Sequence, residues 1–396
     1  MTQQHAQLLD RVRARLADNN QHPTPEQLVT LIRDESRGMI SDHDTLAVLR
    51  AVHTDLNGAG PLDALLDDET ITDVIVNGAG TVYADRGSGL APTEVHLPDE
   101  QSVRRLAQRL AIAAGKRLDE SQPWVDGHVP RGHAATSVRL HAMLPPLSVD
   151  GTCISLRILR PARHSLRDLT GTGMLTPASQ QLLESLIHAR RSFLITGGTG
   201  TGKTTLLAAL LAEVPRHERI ICIEDATELN PPHPHLVRLA ARAANIEGIG
   251  AIPLRDLIRQ ALRMRPDRLV IGEVRGSEVV DLLAALNTGH EGGAGTVHAN
   301  SPRELPARLE ALAALGGLPR RALHAQLAAA AHVVLHVQRE HTQRVLAEIG
   351  IIKPHPNGLT TVETAWTARH GASTAWTDLL ALLARQDHTT GGHHGP

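Results

Sequence analysis

The chain has 396 residues, enough for more than one hydrophobic core, and its 40 Lys and Arg against 42 Asp and Glu leave a formal charge of −2. That balance excludes a dedicated polyanion binder held by net charge, and Trp124, Trp366, Trp376, Tyr83 and Phe193 are the whole supply of aromatic stacking platforms for single strands. Cys153 and Cys222 lie far apart in apolar runs, which excludes a disulfide framework and fits a reducing compartment, while no run of about 18 apolar residues offers a membrane span.

Residues 1–55 read as three short helices: Leu8, Leu9, Val12 and Leu16 form one apolar stripe, Leu28, Leu31 and Ile32 a second, and Leu46, Leu49 and Val52 a third. The amphipathic first stripe is not an export signal. Thr24-Pro25-Glu26-Gln27 starts the second helix with a capping threonine, a proline at the first helical position and a glutamine at the capping-box position. Gly58-Ala59-Gly60-Pro61 then breaks the pattern and marks a boundary.

Residues 56–165 read as a smaller mixed α/β domain. Ile71–Val76 and Thr81–Ala84 are strand-like around the turn Asn77-Gly78, and Ser137–Met143 and Thr152–Leu159 form two further strands. Between them Val103, Leu106 and Leu110 mark a helix whose other face, Arg104, Arg105, Arg109, Lys116 and Arg117, is a solvated surface. Pro161–Ala178, rich in Thr, Gly and Pro, reads as a linker into a second domain over 166–385. There apolar strands at Phe193–Thr196, Ile220–Ile223, Leu236–Leu239, Leu269–Ile271 and Thr296–Val297 alternate with helices, which predicts a largely parallel sheet. After a helical stretch near 302–330, Val333–Val337, Val345–Ile352 and Thr360–Val362 add antiparallel strands at its edge. Residues 386–396 form a Gly/His-rich tail expected to be disordered.

Chemistry concentrates in the second domain. Gly197-Gly198-Thr199-Gly200-Thr201-Gly202-Lys203-Thr204-Thr205 is a complete phosphate loop between an apolar strand and a helix with Leu206, Leu207, Leu210 and Leu211 at helical spacing. Backbone N–H groups from Gly198 to Thr205 cradle a polyphosphate, Lys203 reaches the β- and γ-phosphates, and the Thr204 hydroxyl holds Mg²⁺. The expected ligands are therefore ATP and Mg²⁺.

Hydrolysis needs a carboxylate beside that loop to position or deprotonate water. Glu273, at the end of the strand Leu269-Val270-Ile271-Gly272, is the candidate. Glu224 and Asp225, after another apolar strand, are candidates to orient Mg²⁺ through its bound waters, and Glu228 is either part of that set or a helix-start charge. His290 and His298 flank a flexible glycine-bearing loop, with Gly293-Ala294-Gly295, that enters the strand Thr296–Val297; His298 is a candidate contact of the γ-phosphate and His290 a candidate link to a neighbouring subunit. No Cys or carboxylate ligand set accompanies them for zinc. Arg139, Arg157 and Arg160, in or just after strands of the preceding domain, are either ordinary surface arginines or cross-domain stabilisers of phosphate charge.

Four ordered motifs resemble the Walker A, aspartate box, Walker B and histidine box of the type II/IV secretion and pilus-assembly ATPases: residues 197–205, Ile223–Leu229, Arg263–Arg268 leading into Gly272–Gly276, and Gly289–Ser301. Ile71–Gly78, Asp119–Pro123 and Leu144–Gly151 resemble the N-terminal domain of its tight-adherence pilus branch, the CpaF-type ATPases. The resemblance implies a sensor-like N-terminal domain preceding a RecA-like ATPase domain, a homohexameric ring peripheral to the inner face of the cell membrane, an inner-membrane platform partner, and no stable nucleic-acid binding. It places Arg139 and Arg157 where the N-terminal domain reaches the nucleotide phosphates, and Arg275 where the family's Walker B arginine lies. Pilus assembly or protein secretion is the function it implies, with a conjugation motor acting on DNA as the alternative.

Overall fold

Period-two alternation gives the N-terminal unit a sheet with one apolar face. The computed structural model describes residues 30–32, 34–36, 58–130, 137–159, 164–242, 249–289, 291–341 and 343–384, and the chain divides into two compact units, Met1–Arg160 and Pro161–Pro396. Of the helices expected within residues 1–55, only helical positions at 30–32 and 34–35 fall among the described residues; Arg160, His290 and the tail 386–396 lie outside them.

In the first unit, α1 (Asp63–Asp67) leads into β1 (Asp73–Asn77), β2 (Gly80–Asp85), β3 (Leu90–Leu97), α2 (Glu100–Ala113), β4 (Trp124–Pro130), β5 (Ser137–Met143) and β6 (Cys153–Leu159). The strands form one antiparallel sheet in the order β3-β2-β1-β6-β5-β4. Val74, Val76, Leu140, Ala142, Ile154 and Leu156 point to one face and are buried in the same cluster as Val103, Leu106 and Leu110 of α2. The other face carries Asp73, Arg157 and Arg139 in register across three strands. Asp99 starts α2 by accepting the Ser102 N–H at 2.7 Å, and Glu100 reaches across to the Thr152 N–H at 2.8 Å, tying the helix to the start of β6.

The second unit runs α3 (Leu166–Gly171), α4 (Pro177–His188), β7 (Phe193–Thr196), α5 (Lys203–Ala212), β8 (Ile220–Glu224), β9 (Leu236–Ala240), α6 (Leu254–Ala261), β10 (Arg268–Val274), α7 (Glu278–Leu286), β11 (Ala294–Val297), α8 (Leu305–Leu315), α9 (Arg320–Ala330), β12 (Val333–Glu340), β13 (Gln343–Pro354), β14 (Thr360–Thr367), β15 (Gly371–Ala372) and α10 (Trp376–Ala384). Its sheet is ordered β15-β14-β13-β12-β7-β11-β10-β8-β9. Strands β12 through β9 in that order pair in parallel, and β13, β14 and β15 extend the edge antiparallel. With β9 set aside, the parallel strands stand fifth, first, fourth, third and second in chain order, the RecA-like arrangement. Both faces are covered, so β7, β8 and β11 are buried at every residue. Leu183 and Ile187 of α4, Leu206 and Leu210 of α5 and Leu379 of α10 pack in one cluster. Ile258 of α6, Leu283 of α7, Leu309 of α8 and Leu327 of α9 pack in the other.

The structure corrects several expectations. Strands β3 and β4 were not anticipated: they are the two sheet edges, and their Pro92, Gly127 and Pro130 read as loop although an edge strand tolerates them. The stretch 161–178 is more than a linker, because Ser165 and Asp168 form a capping box that starts α3, whose Leu166 and Leu169 are buried. The helical stretch near 302–330 is two helices separated at Gly316-Gly317. Ala294 and Gly295, read as part of a flexible loop, are buried strand residues.

Candidate active site

The phosphate loop leaves a fully buried strand and enters a helix that is apolar on all sides, so both of its ends are anchored in the core. Two glycines are required by geometry. At Gly197 (φ +151°) a Cβ would fall 2.2 Å from the Val337 carbonyl oxygen of β12, and at Gly202 (φ +98°) it would fall 3.2 Å from Arg344 Cδ and 3.3 Å from Met174 Cε. Gly198, Thr199 and Gly200 form the exposed rim, and the Thr201 hydroxyl donates to the Gly198 carbonyl at 3.0 Å. Lys203, the first residue of α5, is buried, and its Nζ donates to the carbonyls of Gly197 at 3.0 Å and Gly198 at 2.7 Å. Burial holds the ammonium below its ordinary pKa, against the opposing pull of Glu273. A partly dehydrated cation resting on its own loop is a site that an anionic ligand completes.

The parallel register brings the acidic partners to the same end of the sheet. Strand β11 lies between β7 and β10, pairing Val297 with Thr196 on one side and with Val274 on the other. His298 follows directly, and its Nδ1 lies 3.4 Å from Lys203 Nζ while its Nε2 rests on Glu273 Oε1. The Arg275 guanidinium binds the second oxygen of Glu273. Lys203, His298, Glu273 and Arg275 thus form one continuous line. Burial, then the Lys203 charge, hold the His298 ring below its ordinary pKa. Three further hydrogen bonds steady the backbone on either side of Glu273: Thr296 Oγ1 donates to the Gly272 carbonyl at 2.6 Å, and Glu278 accepts the Arg275 and Gly276 N–H groups at 2.5 and 2.7 Å.

Glu224, the last residue of β8, lies beside Gly272. A Cβ at Gly272 would stand 2.6 Å from Glu224 Cγ, so the glycine before Glu273 is what lets the two strand ends pack. The Glu224 carboxylate accepts the Leu229 N–H at 3.0 Å and the Glu228 N–H at 3.1 Å. It therefore holds the turn after β8, and Asp225 is exposed. Burial raises Glu224 from 4.5 to about 7, although those amides favour its ionised form. The folded-state value lies above the unfolded one, so this group's contribution to stability is complete below pH 4.5 and is lost as pH rises through about 7. Without nucleotide or Mg²⁺, urea unfolding of Glu224→Gln is expected to lose that decline relative to the parent chain; superimposable pH profiles would contradict the assignment.

Arg139 and Arg157 lie in the N-terminal unit, where Arg139 Nη2 meets Asp126 Oδ2 and Arg157 Nε meets Asp73 Oδ1, each at 2.8 Å. The contacts that define the nucleotide end of the second unit include residues that sequence reasoning passed over. His336, buried in β12, places Nδ1 2.9 Å from the hydroxyl of Thr196, the residue that feeds the loop. Its one sequence signal is a lone polar residue inside the apolar run Val333–Val337. Met174 and Arg344, which wall Gly202, carry no local signal because α3–α4 and β13 bring them together only in the fold.

A RecA-like sheet whose phosphate-loop lysine meets a strand-end glutamate through a histidine defines a P-loop ATP hydrolase. The chain belongs to the family of type II/IV secretion system proteins, which it matches over residues 55–369. It is 57% identical over 337 residues to a Mycobacterium tuberculosis (strain ATCC 25618 / H37Rv) protein named for conjugal transfer, covering 85% of this chain and 96% of that one. The type IV secretion system protein VirB11 of Brucella suis biovar 1 (strain 1330) is 32% identical over 284 residues, 65% of this chain and 77% of its own. Among solved structures, the Legionella pneumophila ATPase DotB aligns with a TM-score of 0.54 at 18% identity, over 78% of this chain and 82% of that one, and shows the shared fold. Among the described residues no helix is long and apolar enough to cross a membrane.

Proposed function

We propose that the chain is the Mg²⁺-dependent motor ATPase of a tight-adherence-type pilus assembly or protein secretion machine. The observation that carries the hydrolytic half of this reading is the meeting of Lys203, His298 and Glu273 at the phosphate loop. Backbone amides of 198–205 and Lys203 bind the β- and γ-phosphates. Glu273 takes a proton from the water that attacks the γ-phosphorus, the bond to the β-phosphate oxygen breaks, and ADP and phosphate leave. The Thr204 hydroxyl, at the second residue of α5, would hold Mg²⁺, with Glu224 and Asp225 acting through its waters; the ion supplies neutralisation of phosphate charge. In this reading residues 56–165 act as a sensor-like domain and 166–385 as the ATPase, and a rotation between them releases Arg139 and Arg157 from Asp126 and Asp73 to the phosphates. Arg275 joins them, and the working form is a homohexameric ring on an inner-membrane platform protein at the cytoplasmic face.

The pilus half rests on the motifs Ile71–Gly78, Asp119–Pro123 and Leu144–Gly151. The name of the Mycobacterium tuberculosis relative favours a second reading, a motor for conjugal transfer. Steady-state phosphate release with and without single-stranded DNA separates the two. The pilus reading expects no DNA stimulation at low salt, whereas a salt-sensitive, DNA-stimulated rate would replace it with the conjugal one.

A further inference from the structure

His298 makes contacts of opposite kinds at its two ring nitrogens. Nδ1 lies 3.4 Å from Lys203 Nζ, and an ammonium only donates, so Nδ1 presents its lone pair. Nε2 stands within ion-pair distance of Glu273 Oε1, an acceptor with no other hydrogen-bond partner, so Nε2 is the nitrogen that takes the ring proton. Together the partners select a single neutral tautomer, assigned from these two contacts. The charged groups facing the ring are Lys203 at the start of α5, Glu273 on β10 and Arg275 just beyond it.

We infer that His298 is a positioning residue that joins the phosphate-binding lysine to the water-activating carboxylate through its two nitrogens. The inference rests on the role of Glu273 given above. At Nε2 the ring fixes Glu273 in direction; as acceptor at Nδ1 it orients the Lys203 ammonium. Backbone pairing doubles the link, since β11 is hydrogen-bonded both to the loop strand β7 and to the glutamate strand β10. The position of the proton has a consequence for the chemistry. Nε2 is already protonated in this tautomer, so the proton that Glu273 takes from water does not pass to that nitrogen. His298 orients the base and does not relieve it.

No single amide side chain reproduces both contacts. In H298Q the longer side chain carries its amide nitrogen to the Nε2 position and preserves the donor to Glu273. In H298N the shorter side chain places its amide oxygen at the Nδ1 position and preserves the acceptor for Lys203. The test measures kcat, KM and the equilibrium binding of a fluorescent ATP analogue with Mg²⁺ for the full-length H298A, H298N, H298Q and E273Q variants. H298A is expected to lose about 10–100-fold in kcat with analogue binding within about threefold of the parent chain. H298Q is expected to regain most of that loss and H298N little of it. H298N and H298Q behaving alike, as an unspecific packing role requires, would overturn the inference, and so would H298A at the parent kcat while E273Q is inactive. E273Q at the parent kcat would overturn the underlying reading of Glu273 and this inference with it.

Discussion

Glu273→Gln is expected to lower kcat for Mg²⁺-ATP by about 10²–10⁴-fold, the range for removing a positioned general base, while ATP affinity stays within a few-fold. The carboxylate is held in place by His298 on one oxygen and Arg275 on the other, and its strand is pinned by Thr296 and Glu278. Glutamine keeps the size and most of the packing, so the phosphate loop on the neighbouring strands is not disturbed. In the proposed mechanism, what it removes is the negative charge that accepts the proton from water. Phosphate release measured at saturating ATP, beside equilibrium binding of the same nucleotide, separates the two effects. A variant that turns over at the parent rate would remove Glu273 from the chemistry.

Lys203→Ala acts earlier, on binding. The ammonium is buried and rests on two loop carbonyls at 3.0 and 2.7 Å, which the proposed binding mode exchanges for phosphate oxygens. Charge-assisted bonds of this kind contribute about 1.5–3 kcal/mol each, so truncation is expected to weaken ATP binding by at least about tenfold. In the proposed mechanism Lys203 also stabilises charge that develops on the transferred phosphate, so a further loss of about 10²–10³-fold in turnover is expected. Calorimetric titration with Mg²⁺-ATP checks the first effect and single-turnover hydrolysis the second. Parent-like affinity would mean that the loop amides alone carry the phosphates.

The nucleotide end of the second unit was legible because each part obeys a local rule. A phosphate loop needs its glycines and lysine at fixed spacing, and the strands that feed it are buried on both faces and therefore read as continuous apolar runs. Glu273 and His298 were visible as polar residues closing such runs. What joins them is not local. The insertion of β11 between β7 and β10, which puts His298 between lysine and glutamate, is a matter of strand order across residues 193–297.

The edges of both units were less legible for the converse reason. Strand β3 buries little, β4 buries only alternate residues such as Val125 and Val129, and between them they carry proline and glycine, so their sequences resemble loops until a sheet stands beside them. Glu224 shows the same limit at a single residue. Its placement after an apolar strand was plain, but the turn amides it accepts and the Gly272 surface it packs on come from other segments. Gly272 itself was readable as a glycine before the candidate base, though its reason is the bulk of Glu224 and not backbone freedom.

The most direct test of the account is a crystal structure of the chain with Mg²⁺ and a non-hydrolysable ATP analogue. The account predicts that Lys203 Nζ leaves the Gly197 and Gly198 carbonyls for the β- and γ-phosphate oxygens, and that a water stands between the γ-phosphorus and Glu273 with His298 still on the carboxylate. An analogue bound away from residues 197–205, or a γ-phosphate with Glu273 out of reach of any attacking water, would contradict it.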